Sequence, residues 1–122
     1  MITLLAVGAA AAVGAVARYV LDQYVQYRRP GLFPRGTWLI NITGSYVLGI
    51  VMGLGARHGL SDQAVHIAGV GFCGAYTTFS TFSYELVHLR EKGQVRKFLL
   101  YGASSLVVGL SAAAAGLAIG SF

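Results

Sequence analysis

The sequence predicts an all-α membrane protein of four transmembrane helices. Three observations carry that reading: the apolar residues fall into four long runs, only 11% of residues are charged, and the charges gather in short segments between the runs. Soluble domains carry about a quarter charged residues. Here 56% of the 122 residues are hydrophobic and the mean hydropathy is +0.67, which points to lipid as the solvent. A membrane helix needs about 20 mainly apolar residues. Residues 2–20, 37–56, 64–89 and 98–122 each meet that length, the third being the most polar. A soluble four-helix bundle would need a polar face on every helix, so the chain reads as one domain, 1–122, embedded in a membrane.

The first run carries Arg18 near its end and nothing basic before it. A secretory leader places Lys or Arg ahead of its apolar stretch, so the expectation is a retained span. Pro and Gly punctuate helices, and Arg28, Arg29, Pro30, Gly31 and Pro34 mark the first connection. Arg57, His58, Gly59, Leu60 and Ser61 mark the second, with Asp62 as the expected N-cap of the third span. Arg90, Glu91, Lys92, Gly93 and Gln94 mark the third. Connections this short make neighbouring spans antiparallel and put both termini on one side.

Arg28, Arg29, Arg35, Arg90, Lys92, Arg96 and Lys97 then share one side, against Arg57 alone on the other, a count of seven to one. The positive-inside rule makes the first and third connections cytoplasmic and both termini external. The same placement accounts for the net charge of +5 without a nucleic-acid partner. The single Cys73 excludes an intrachain disulfide, and His58, His66 and His88 have no metal-ligand spacing. Small residues let helices approach closely in lipid. Asn41, Ser45, Gly49 and Gly53 form one such stripe on the second span; Gly102, Ser105, Gly109, Ala112 and Gly116 form another on the fourth. A four-helix chain of this size is expected to dimerise.

The third span departs from ordinary helix composition. Gly69, Gly71 and Gly74 precede Thr77-Thr78-Phe79-Ser80-Thr81-Phe82-Ser83, and Gly and Thr are poor helix formers. The expectation is a helix interrupted around residues 74–78 near mid-membrane, where irregular backbone must be buried in protein or line a cavity. Freed carbonyls there suit a cation, and the amides that start the next half-helix suit an anion. A glycine-rich packing site with back-bonded hydroxyls is the other reading of the same residues. Phe79 and Phe82 share a face of the second half; an aromatic ring edge is positive, though such a pair also serves as plain lipid contact. Ser80 and Thr81 add hydroxyl donors. Glu85 is either a pathway carboxylate or a helix-end residue reaching for water. Asn41 contributes an amide. Arg18 either snorkels or draws anions into a vestibule.

Gly71-Phe72-Cys73-Gly74, Thr77-Thr78-Phe79-Ser80-Thr81-Phe82 and Glu85 resemble the signature of the Fluc/CrcB fluoride channel family. Gly36-Thr37-Trp38-Leu39-Ile40-Asn41 with Gly44-Ser45 resembles its second-helix motif, and Gly14-Ala15-Val16-Ala17-Arg18-Tyr19 its first. The resemblance implies an antiparallel dimer in the cell membrane with two pores that pass fluoride passively out of the cytoplasm. It further implies that Phe79 and Phe82 line each path edge-on and that Asn41 donates to the ion. Backbone carbonyls of Gly74 and Thr77 would hold a structural Na⁺ at the dimer interface, and Tyr101 and Ser105 would form a polar track on the fourth span. Ala75 stands where the family often has glycine, and Gly109 where a further serine is expected.

The charge asymmetry allows two dimers: a homodimer of chains inserted both ways, or a heterodimer with an oppositely oriented paralogue. A drug/H⁺ antiporter of similar size needs a buried acid in the first span, where Arg18 is the only charge. A non-conducting assembly subunit would leave the Thr/Ser/Phe segment without a purpose. No nucleophile–base pair suggests an enzyme.

Overall fold

The computed structural model describes residues 1–122 and is all helical. Helix α1 spans Ile2–Arg28, eight residues beyond the apolar run, because nothing breaks it until Pro30. The residue before a proline is pushed out of the helical region, and Arg29 accordingly turns to φ −134°, ψ 68°. Helix α2, Arg35–Arg57, begins directly after Pro34, whose fixed φ of −80° leads into the first turn. Helix α6 runs over Val95–Ser121. These three helices are individually long and apolar enough to cross a membrane.

The region expected to be the third span is divided. A short α3 (Asp62–Val65) runs into a π-helical stretch, His66–Cys73, then α4 (Gly74–Tyr76). Thr77 and Thr78 leave the helix, and α5 resumes at Phe79–Glu91. The N-cap of α3 is Ser61, not Asp62: the Ser61 hydroxyl accepts from the Ala64 N–H at 3.1 Å. Asp62 is instead the first helical residue, where its charge meets the positive end of the helix dipole. At the far end, Gly93 takes φ +72°. That lets its N–H donate to Arg90 O and the Gln94 N–H to Leu89 O, at 3.1 and 2.9 Å, closing α5 with a Schellman motif.

Packing is set by glycine. On α2, Gly49 lies against the backbone of Ala113 and Gly53 against that of Leu117; on α6, Gly116 and Gly120 meet the carbonyls of Tyr46 and Ile50. A Cβ at any of these four positions would enter the facing backbone. The tight seam of α6 therefore uses Gly116 and Gly120. Gly102 and Gly109, expected in that seam, make only ordinary contacts, Gly102 with the Leu86 side chain of α5 and Gly109 with the Ile42 side chain of α2. Gly14 of α1 abuts the Phe72 carbonyl, and Gly71 abuts Val7, so the π-helical stretch lies directly on α1.

Ile40, Leu89 and Tyr101 are the bulkiest side chains that are fully enclosed. Only 17 of 122 residues are buried, and α1 buries only Gly14. The outer faces are therefore apolar and open, as expected of helices whose solvent is lipid.

Candidate ion pathway

The interruption at Thr77 and Thr78 is held by side chains of α2. Asn41 Nδ2 donates to Thr78 O at 3.0 Å, and Asn41 Oδ1 accepts from the Thr78 N–H at 2.9 Å. In an unbroken helix that N–H would close on Gly74 O. Asn41 takes it instead, so the Gly74 carbonyl loses its usual partner. Thr77, at φ −84°, ψ 161°, presents a carbonyl that accepts no backbone hydrogen bond. Gly44 makes the approach possible: the Thr77 methyl and the Tyr76 ring occupy the space a Cβ would fill. In the third region Gly71 packs on Val7 and Ala10 and Gly69 on Leu48, whereas Gly74 is exposed; the helix is left only at the two threonines. Part of the hydroxyl set is back-bonded, Thr77 Oγ1 to Cys73 O at 2.8 Å and Ser45 Oγ to Asn41 O at 2.7 Å.

The start of α5 is a compact hydroxyl cluster. Thr78 Oγ1 accepts from the Thr81 N–H at 3.2 Å, caps the helix, donates to Thr81 Oγ1 at 3.2 Å and lies 3.3 Å from Ser80 Oγ. Thr81 thereby accepts and keeps its own hydrogen to donate elsewhere. The Asn41 amide likewise retains a second N–H.

Beside this cluster the aromatic rings form a column. Phe79 and Phe82 have centroids 5.8 Å apart, tilted at 45°. Phe82 meets Tyr101 at 5.1 Å and 54°, and Phe33 meets the other side of Tyr101 edge-on at 5.5 Å. Tyr101 is fully buried and its hydroxyl donates to Glu85 Oε1 at 3.0 Å. Phe79 is the free end of the column, 79% exposed in the single chain. Ser105, one turn after Tyr101, has a buried hydroxyl with no partner.

Two polar cavities share Thr78 as a wall. One, of about 220 Å³, is lined by Asn41, Gly44, Ser45, Leu48, Thr77, Thr78 and Phe79. The other, of about 140 Å³, is lined by Arg18, Tyr19, Asp22, Thr37, Ile40, Thr78 and Thr81. Arg18 is half-buried here, and its Nε has no hydrogen-bond partner. The chain thus brings Asn41, Ser80, Thr81, Phe79, Phe82, Glu85 and Tyr101 around one helix start, with Arg18 across Thr78 from the Asn41 cavity.

Two contributors were not anticipated. Thr37 is only 2% exposed and stands beside Glu85 and Tyr101 as well as in the Arg18 cavity. It lies one turn before Asn41 on α2, a four-residue spacing that could have flagged it. Tyr76 is buried and its hydroxyl lies 2.9 Å from Thr43 Oγ1, tying α4 to α2. No local pattern marks Tyr76.

The family described as CrcB-like protein, Camphor Resistance (CrcB), matches residues 5–117. Among similar proteins, Fluoride-specific ion channel FluC 1 of Leifsonia xyli subsp. xyli is 49% identical over 119 residues, covering 98% of this chain and 87% of that one. Fluoride-specific ion channel FluC 1 of Streptomyces avermitilis is 44% identical over 109 residues, 89% of this chain and 88% of that one. Fluoride-specific ion channel FluC 2 of Bacillus cereus is 37% identical over 120 residues, 98% of both chains.

Proposed function

The chain belongs to the CrcB family, and from that premise we propose that this multi-pass membrane protein is a passive fluoride-selective channel that releases F⁻ from the cytoplasm. The observation that carries the site assignment is the convergence of Asn41, Thr81, Phe79 and Phe82 on the helix start at Thr78. Fluoride is small and strongly hydrated, so a pathway must replace its water with donors at close range. The spare N–H of Asn41, the hydroxyls of Ser80 and Thr81 and the unpartnered hydroxyl of Ser105 are such donors. The ring edges of Phe79 and Phe82 add weak positive potential, which lets an ion bind and also leave. Tyr101, fixed by Glu85, backs Phe82. Arg18 in its cavity beside Thr78 gathers anions at the vestibule.

The pathway needs a second subunit. Phe79 faces outward, and its cavity is walled on one side only by this chain. The reading is therefore an antiparallel dimer in the plasma membrane, four crossings per chain, with the third interrupted near mid-membrane and two pores along the subunit boundary. The carbonyls of Gly74 and Thr77, freed from helical donors, would hold a structural Na⁺, which supplies positive charge at the dimer interface. The partner is a second copy of this chain inserted the other way or, in view of the seven-to-one charge count, an oppositely oriented paralogue. The pathway residues perform no covalent step.

The test is anion efflux from liposomes containing the purified protein, with a voltage-clamping ionophore. Rapid fluoride release with chloride retained supports the proposal. Equal release of both anions contradicts it, as does release of neither by protein that elutes as a dimer.

A further inference from the structure

We propose that the groove between α1, α2 and α6, at the basic end of the molecule, binds an anionic phospholipid, with its phosphate on Arg35 and Arg96 and an acyl chain along the groove. The groove measures about 460 Å³ and is walled by Val25, Trp38, Leu39 and Leu100, with Arg35 at its rim. That volume lies within the roughly 300–1,000 Å³ of ordinary ligand pockets. Arg96 does not line the trough but stands one turn before Leu100 on the same face of α6, which puts a second basic residue within a turn of its wall. Both are exposed. The chain has nine Lys and Arg against four Asp and Glu, so this end has positive charge left to match an anion.

The wall is pre-formed. Trp38 Nε1 donates to Ser104 Oγ at 3.0 Å, which pins the indole between α2 and α6 and satisfies its only polar group. An indole at this level is the usual marker of the membrane interface. Free phosphate would gain nothing from the apolar wall, and a zwitterionic headgroup would offset the arginine charge with its own ammonium. An anionic phospholipid matches both halves of the site, and basic residues near a membrane surface favour such lipids by about fivefold each. The inference does not depend on what ion, if any, the protein conducts.

Trp38 is the only tryptophan of the chain, so its fluorescence reports on this groove alone. The full chain, reconstituted in phosphatidylcholine vesicles, is titrated with brominated-tail phosphatidylglycerol and, separately, with brominated-tail phosphatidylcholine. Half-maximal quenching is expected at about a 25-fold lower mole fraction of the anionic lipid, about fivefold for each of the two arginines. The R35Q/R96Q variant should lose that preference, and R90Q/K92Q, altered in the third connection, should keep it. Coincident curves for the two lipids in the parent would overturn the proposal. So would equal loss of preference in both variants, which would reduce the effect to diffuse surface charge.

Discussion

Asn41 grips both backbone groups of Thr78: its amide nitrogen donates to the Thr78 carbonyl and its oxygen accepts from the Thr78 N–H, at 3.0 and 2.9 Å. A single side chain on α2 thus replaces the helical partners that the broken backbone gives up. Replacing it by alanine leaves two backbone groups unpaired at a part-buried site, which costs about 1–3 kcal/mol each. Asn41→Ala should therefore lower the unfolding temperature in detergent and abolish fluoride efflux. Asn41→Asp keeps the acceptor but loses the donor and adds a negative charge, so it should fold better than Asn41→Ala while still failing to pass fluoride. Thermal unfolding read beside efflux separates the two effects.

The α2–α6 seam leaves no room for side chains. A Cβ at Gly116 would enter the Tyr46 carbonyl, whereas one at Gly8 meets nothing within 4 Å. Overpacking of this kind costs about 1–3 kcal/mol. Gly116→Ala should reduce the yield of monodisperse protein on a sizing column and lower its unfolding temperature, and Gly8→Ala should leave both unchanged or slightly improved.

The Tyr101 hydroxyl can be removed without disturbing its ring. Tyr101→Phe keeps the contacts with Phe82 and Phe33 and deletes only the bond to Glu85. A hydrogen bond to a charged group contributes about 1.5–3 kcal/mol to stability, so the unfolding temperature should fall while the protein elutes as the parent does, and fluoride efflux should slow. Unchanged efflux would remove Tyr101 and Glu85 from the pathway.

A reporter fused to the C-terminus, assayed on both sides of the membrane, reads the orientation. The seven-to-one charge count and the positive-inside rule expect signal on the external side alone, which would exclude a dual-topology homodimer. Signal on both sides would establish dual insertion and a homodimer.

Much of this architecture is legible in the sequence because lipid imposes simple rules. The lengths of the apolar runs gave α1, α2 and α6, and Pro30 and Pro34 placed the first connection where the structure has it. The unusual run Thr77–Thr78–Phe79 pointed to the region where α4 stops and α5 starts. Its internal arrangement was less legible. The π-helical stretch over His66–Cys73 depends on how Gly14 and Gly71 let α1 approach, a tertiary fact without a local signature. The choice of Gly116 and Gly120 over Gly102 and Gly109 depends on which glycines meet the α2 backbone, and both the four-residue and the seven-residue spacing keep a pair on one helix face. Ser61 outcompeted Asp62 as the cap through a one-residue shift in where the helix begins. Thr37 shares the Asn41 face of α2 by its four-residue spacing, whereas Tyr76 became visible only once α4 was laid against α2.

In the proposed pathway fluoride passes along the ring edges of Phe79 and Phe82 beside the interruption at Thr78. Fluoride efflux from liposomes holding Phe82→Ile is its most direct measure, because isoleucine fills similar space but has no positive edge. The prediction is loss of flux with the dimer intact on a sizing column. A variant that conducts fluoride as fast as the parent would contradict it.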